Sequence, residues 1–281
     1  MFQYAAGRTL ADRLRLPMEI DTRASDREGA AHNGFELSRV FLVDPVHATA
    51  RSVGKLLGWR SPRTVQRVLR RLRMPSLCEP YVPEPHFHYW RAFDELRGPC
   101  YLDGYWQSFL YFSPNVAQLR TDFRFRLPFD GENARIADQI AAAPDSVSIH
   151  VRRGDYVASG KAASHHGTAS IDYYQAAVAL VATRLTGAPR LFVFSDDIAW
   201  ARSHLALPDD TVFVAHNTGA DSHFDMRLMS CCRHNIIANS SFSWWAAWLN
   251  PNSEKIVIAP SRWVLAPYDT TTLTPPSWTR I

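Results

Sequence analysis

From Pro144 onward the chain alternates short apolar runs with longer amphipathic ones, and that rhythm restricts the fold more than any other feature. "SVSIHV", "RLFVFS", "TVFVA", "HNIIANS" and "EKIVIAP" have strand length and are rich in β-branched and aromatic residues. Between them lie "IDYYQAAVALVATRL", "DDIAWARSHL", "DSHFDMRLMSCC" and "SFSWWAAWLN", each of helical length. Strands apolar on consecutive residues must be covered on both faces. The alternation therefore predicts a parallel, doubly wound α/β sheet flanked by helices. Such sheets bind ligands beyond the carboxyl ends of their strands, which selects candidate positions before any motif is considered.

The first half has a different texture. Residues 1–16 read as a helix with Phe2, Ala5, Ala6, Leu10 and Leu14 near helical spacing, and Pro17 stops it ahead of a short strand, "MEID". "SPRTVQRVLRRLRMP" reads as a helix capped by Ser61, with Pro62 in its first turn and Pro75 beyond its end. Val65, Val68, Leu69 and Leu72 make its apolar face and arginines cover the other. "PEPHFHYWRAF" and "CYLDGYWQS" are expected to be strands joined by a turn at "ELRGP"; residues 115–119 and 133–142 are expected to be helical. With 281 residues there is room for two cores, and the change of texture places domains at 1–143 and 144–281.

A composition of 46% hydrophobic and 21% charged residues excludes a disordered chain. No apolar run reaches the roughly 18 residues of a membrane span, and the opening residues lack the order of a signal peptide. Cys78, Cys100, Cys231 and Cys232 form neither a CxxC pair nor a zinc spacing, so reduced thiols in a cytoplasmic protein are expected. The net charge of +4 is unevenly spread. Between Val46 and Leu77 there is no acidic residue, while Arg51, Lys55, Arg60, Arg63, Arg67, Arg70, Arg71 and Arg73 fall inside that stretch. No nucleic-acid reader motif accompanies it, so no nucleic-acid partner is expected. Two readings of residues 62–73 remain: a solvated helix, or peripheral contact with an anionic inner-membrane surface or a lipid-diphosphate-linked glycan.

Three strand ends carry chemistry. "HVRRGDY", His150–Tyr156, puts two arginines and a glycine after the first strand, a pattern suited to an anionic ligand because guanidinium forks hold phosphate oxygens bidentately. The alternative is a solvated loop whose arginines pair with Asp155. "FSDDIAW" offers Ser195 or Asp196 as a helix cap, or a carboxylate for a ligand's ring or ribose hydroxyls. "ANSSFSWWAAWLN" brings Ser240 and Ser241 to a strand–helix junction, where hydroxyls, backbone N–H groups and the helix dipole suit a phosphate; Trp244, Trp245 and Trp248 read as core. Walker A, GxGxxG and DxD sequences are absent, so neither a P-loop nor a metal-clamped diphosphate is expected, and the arginines must carry the charge.

"HVRRGDY", "FSDD", "ANSSFSWWAAWLN" and "KIVIAPSRW", in this order and spacing, together with "LDGYWQSFLYF", resemble glycosyltransferase family 11, the bacterial α-1,2-fucosyltransferases. The resemblance implies a GT-B architecture of two Rossmann-like domains with parallel sheets, and metal-independent, inverting transfer from GDP-L-fucose to the 2-hydroxyl of a galactose-containing glycan, free or lipid-linked. GDP-fucose is a co-substrate; neither a cofactor nor a metal is implied. By position Arg152 resembles the arginine that grips the β-phosphate, with Arg153 beside it; Asp155 is the nearest carboxylate in the motif, either a base or a residue that orients Arg153. His150 and Asp196 resemble guanosine-side contacts, Ser240, Ser241 and Phe242 the phosphate-side loop, and Gln3, Tyr105 and Gln107 are acceptor-side candidates. The family's opening element is "GNQMFQYA" after a strand, whereas this sequence opens "MFQYA". The expectation is an N-terminal domain lacking its first strand and the Gly-Asn turn, so that either the natural gene begins upstream or this form is impaired. A different linkage or acceptor, and a GDP-binding homologue without transfer, are the competing readings.

Overall fold

The computed structural model describes residues 1–23, 34–72, 80–153 and 167–281. Asp155, Pro75, Cys78 and the side chain of Leu72 lie outside the described residues. The chain divides into two compact units, 1–126 with 268–275, and 127–267 with 276–281.

The first unit contains α1 (Phe2–Leu14), β1 (Glu19–Ile20), α2 (Leu37–Val40), β2 (Val46–His47), α3 (Ala50–Leu57), α4 (Arg63–Leu72), β3 (Tyr81–Pro83), β4 (Tyr101–Asp103) and α5 (Val116–Asp122). Helix α1 buries Phe2, Tyr4, Ala5, Ala6 and Leu10, close to the face read from spacing, and ends on Arg15 in the left-handed conformation. β1 pairs with β2 and β3 with β4, both in parallel. The expected hairpin is therefore corrected. The strand begins earlier, at Tyr81, and ends at Pro83, which has no N–H for a ladder. Residues 91–95 form a 3-10 turn before the chain returns in parallel as β4. Among the described residues this unit holds two separate two-stranded ladders instead of one continuous sheet.

Helix α4 forms as expected, but its apolar face is narrower. Leu69 joins Val53, Leu57 and Tyr81 in a small core, with Val65 packed against it, whereas Val68 is 56% exposed among the arginines. Ahead of α4 the Ser61 carbonyl accepts from the Gln66 side chain. Arg70 and Tyr81 both reach the Asp103 carboxylate at the end of β4.

The second unit contains α6 (Gly131–Ala142), β5 (Ser146–Val151), α7 (Ile171–Ala182), β6 (Arg190–Ser195), α8 (Ile198–His204), β7 (Val212–Val214), α9 (His223–Cys231), β8 (His234–Ile236), α10 (Ser241–Leu249), β9 (Val257–Ala259) and β10 (Thr279–Arg280). Helix α6 lies here and not in the first segment, because its buried Asn133 bonds with Asn217 and His216 of this unit. The six strands are all parallel in the order β10-β9-β8-β5-β6-β7. Numbered within the sheet this is 6-5-4-1-2-3, the doubly wound dinucleotide-fold order whose topological switch point lies between the first and fourth strands. Every residue of β5 is buried, as a strand covered on both faces requires. Trp244, Trp245 and Trp248 are core, as read. The two-residue β10 was not anticipated; it closes the far edge by pairing with β9.

Candidate functional site

The switch point puts the carboxyl ends of β5 and β8 side by side, and the strongest motif residues meet there. His150, the penultimate residue of β5, has its ring 5.6 Å, centroid to centroid, from that of Phe242, in the first turn of α10 beyond β8. The His150 ring is buried, and its Nδ1 has no hydrogen-bond partner among the described residues. Burial, reinforced by the nearby Arg152 charge, pushes the imidazole down to about 3, so it is neutral at physiological pH. A neutral ring presents one donor and one acceptor nitrogen to a ligand.

Where β5 ends, its last carbonyls need partners from outside the ladder. The tyrosines of α7 supply them: Tyr174 Oη donates to the His150 carbonyl (3.1 Å), and Tyr173 Oη to the carbonyls of Ile237 (2.6 Å) and Ile258 (3.1 Å). One turn of α7 thus ties together the ends of β5, β8 and β9. "IDYY" showed only helical periodicity, so this role was missed from sequence. Asn239 adds a further tie, donating to the carbonyls of Gly167 (3.0 Å) and Trp263 (3.2 Å). Gly167 has φ +63°, and a Cβ there would sit 2.9 Å from the Leu265 side chain, so the turn requires glycine.

The two arginines after β5 do different work. Asp196, at the end of β6, accepts from the Arg153 backbone N–H (2.9 Å) and pairs with Arg152 Nη1 (3.0 Å). It ties the β5 and β6 loops together. Arg153 turns its guanidinium flat onto Trp200 of α8, 3.8 Å from the ring centroid, with its Nε 3.9 Å from Asp197. The Arg152 side chain is 30% exposed beside Asp196. The cap of α8 is neither Ser195 nor Asp196: Asp197 accepts from Trp200 N–H (3.0 Å), and Ser195 Oγ from Asp197 N–H (2.9 Å).

Ser240 caps α10 by accepting from Phe242 N–H (3.3 Å), while Ser241 is exposed at the first helical position. The junction therefore offers a helix N-terminus and the Ser241 hydroxyl. Asp155 lies outside the described residues.

One group at this edge escaped the sequence reading. Asp225, in the first turn of α9, accepts from Asn217 Nδ2 (2.7 Å), which also donates to Asn133 Oδ1 (2.8 Å); His216 Nε2 lies 2.9 Å from that same oxygen. Burial outweighs the Asn217 bond and raises the Asp225 carboxyl to about 7. The group sits where the chain leaves β7, on the carboxyl side of the sheet. No spacing rule links residues 133, 217 and 225, so sequence alone did not flag them. Among the described residues no trio of His, Cys, Asp or Glu is arranged to hold a metal ion.

Gln3, Tyr105 and Gln107 belong to the first unit. Gln3 Nε2 donates to the Gly104 carbonyl (2.8 Å), placing α1 beside the loop that carries the other two.

The chain is similar to known glycosyltransferases. The α-1,2-colitosyltransferase of Escherichia coli is 30% identical over 268 residues, spanning 94% of this chain and 88% of that protein. The E. coli O-antigen biosynthesis glycosyltransferase WbnK is 40% identical over 134 residues, 48% of this chain and 44% of that protein. A crystal structure of NodZ α-1,6-fucosyltransferase soaked with GDP-fucose superposes with a TM-score of 0.49 at 17% identity, covering 89% of this chain and 88% of that one. The strand order described above stands independently of that likeness. Residues 92–281 match the model of the family described as Glycosyl transferase family 11, and the chain belongs to that family.

Proposed function

We propose that this chain transfers L-fucose from GDP-β-L-fucose to the 2-hydroxyl of a galactoside, with inversion, in a GT-B arrangement and without a metal. The observation that carries the reading is Arg152, paired with Asp196 at the carboxyl end of β5, with its guanidinium side chain 30% exposed. Breaking the bond between fucose C1 and the β-phosphate oxygen leaves negative charge on GDP. A pre-positioned guanidinium stabilises that charge as it develops. The α10 N-terminus with Ser240 and Ser241 supplies further partial positive charge to the phosphates, and neutral His150 with Phe242 forms the wall beside it. The acceptor 2-hydroxyl attacks C1 from the opposite face and gives up its proton to a base, for which Asp155 is the candidate.

The test is incubation with GDP-fucose and a panel of β-galactosides, with and without EDTA, and digestion of the product by a 2-linkage-specific fucosidase. GDP-colitose is the second donor arm, because the relative matched along most of the chain is a colitosyltransferase. A product resistant to the fucosidase, or transfer abolished by EDTA, refutes the reading as stated. Binding of GDP with no transfer to any acceptor favours the non-transferring homologue.

For localisation we propose peripheral contact with an anionic membrane. Helices α3 and α4 turn Lys55, Arg63, Arg67 and Arg71 outward, with Trp59 63% and Val68 56% exposed among them. Cationic residues interleaved with apolar tips suit a phospholipid surface. Among the described residues no helix is long and apolar enough to cross a membrane. Cosedimentation with phosphatidylglycerol vesicles but not phosphatidylcholine vesicles is expected; equal sedimentation with both refutes the contact.

A further inference from the structure

Strand β4 ends at Asp103, and the loop that follows, residues 104–107, is fixed from several directions. The Glu84 carboxylate accepts from two successive backbone N–H groups, Tyr105 (2.7 Å to Oε2) and Trp106 (3.0 Å to Oε1). Both donors fall beyond the β3–β4 ladder, so the carboxylate replaces the partners a strand would have provided. Gly104 makes the approach possible: a Cβ there would stand 2.3 Å from Glu84 Cβ and 2.7 Å from its Oε2. From the other side Gln3 holds the Gly104 carbonyl.

Trp106 has φ +56°, a left-handed conformation costly for a bulky residue. Its indole is buried, 5.6 Å from the Phe93 ring and 5.2 Å from that of Tyr111. Backbone strain of this kind persists only where the surroundings over-determine it, and it concentrates at ligand-binding positions. The product of these constraints is a single exposed aromatic: Tyr105, anchored at its own N–H by Glu84, is 69% exposed. An exposed tyrosine is ordinary by itself. One whose backbone is clamped by a carboxylate, a required glycine and a strained, buried neighbour is built to present its ring.

We propose that Tyr105 is a stacking platform for a pyranose ring of the acceptor glycan, and that Glu84 and Gln3 are positioning residues that fix its loop. This rests on the acceptor being a glycoside, as in the preceding proposal. A pyranose has one face of C–H groups and hydroxyls around its rim. A flat ring desolvates the C–H face while the hydroxyls stay in water or find polar partners. A single aromatic is far too small for a protein interface, which buries about 800 Å² per partner.

The test uses Tyr105→Ala, Tyr105→Trp, Glu84→Gln and Gln3→Ala in the full chain, with three readouts. Calorimetry with GDP reports the donor site, initial rates with GDP-fucose and a β-galactosyl disaccharide give KM and kcat, and saturation-transfer NMR with methyl β-D-galactopyranoside reports stacking without any transfer. Tyr105→Ala is expected to raise the acceptor KM about fivefold to tenfold, with kcat within about twofold and GDP affinity unchanged, and to abolish saturation transfer. Tyr105→Trp restores both readouts. Glu84→Gln and Gln3→Ala raise KM in the same direction; if Glu84→Gln does not fold by circular dichroism, Gln3→Ala tests the positioning. An unchanged KM together with unchanged saturation transfer in Tyr105→Ala overturns the platform, as does a matching loss of GDP affinity. If wild type transfers no fucose but its saturation transfer disappears in Tyr105→Ala, the platform stands and the fucosyl reading falls.

Discussion

Replacing Asp196 by asparagine separates two roles for that residue. If Asp196 holds the arginines, its loss weakens the grip on a diphosphate; if it reads the nucleobase, its loss weakens base discrimination. Oδ1 accepts from the Arg153 N–H at 2.9 Å and Oδ2 faces Arg152 Nη1 at 3.0 Å. An asparagine that keeps its carbonyl on the Arg153 N–H must turn its NH2 toward the guanidinium, setting donor against donor and removing the charge. A hydrogen bond to a charged group contributes about 1.5–3 kcal/mol. With side chains 30% and 22% exposed, the lower end applies. About 1.5 kcal/mol corresponds to roughly a tenfold change in an equilibrium that needs Arg152 in place. The assay is calorimetric titration of wild type and Asp196→Asn with GDP, GMP and ADP. The GDP Kd should rise about tenfold, the advantage of GDP over GMP should shrink by a similar factor, and the preference for GDP over ADP should hold. An unchanged GDP-to-GMP ratio with a collapsed preference for GDP over ADP would refute the positioning role and restore the nucleobase contact.

Three further outcomes follow from the same edge. Arg152→Ala should lower kcat about 100- to 1000-fold without shifting the melting temperature, and Arg152→Lys should recover only part of the loss, since a point charge cannot reproduce the fork; near-normal turnover in the alanine variant sinks the assignment. His150 binds a proton near 6.5 when unfolded but only near about 3 when folded, so its contribution to stability declines as pH falls through that window. The difference between urea midpoints at pH 7 and pH 4 should therefore be smaller for His150→Phe than for wild type. Asp225 has the opposite sign: its folded value of about 7 lies above its ordinary 3.8, so stability declines as pH rises between them. Asp225→Asn should then unfold at higher urea than wild type at pH 8 and converge with it at pH 4; a lower midpoint at pH 8 contradicts a buried, undercompensated carboxylate.

The second unit was legible in the sequence because its strands are buried on both faces and its helices alternate with them, so periodicity and burial point to one answer. The first unit was less legible because its strands are two or three residues long and Pro83 cuts one short, leaving no period to read. The expected hairpin failed for that reason: the apolar and aromatic residues of "PEPHFHYWRAF" serve turns and a 3-10 segment. Val68 failed differently. Helical spacing placed it beside Leu69, yet among the described side chains of α4 it is Leu69 and Val65 that join the core, while Val68 is 56% exposed. Tyr173 and Tyr174 were invisible because their partners lie 24 to 85 residues away, and a hydrogen bond between distant segments leaves no pattern in either one; Asp225 bonds Asn217 eight residues away, but the Asn133 that completes the group is 84 residues from Asn217.

The adjacent arginines show where a motif stops being informative. In "HVRRGDY" the two side chains are equivalent: same charge, same strand end, same expected ligand. The structure makes them unequal through residues outside the motif. Trp200 lies on α8, one turn past the Asp197 cap, and its ring takes up the Arg153 guanidinium. Asp196 holds the Arg153 backbone and Arg152 at once, so the stacked arginine anchors the loop from which the other reaches out. A cation held on an indole face and beside a carboxylate has already lost much of its hydration and its freedom, and gains little by turning to a phosphate. Arg152, paired through Nη1 with Asp196 and 30% exposed, presents its charge at the strand end in a direction already fixed. "FSDDIAW" therefore supplies, through Asp196, Asp197 and Trp200, the parts that divide the labour of "HVRRGDY". The two motifs are one device, joined where β5 and β6 end side by side.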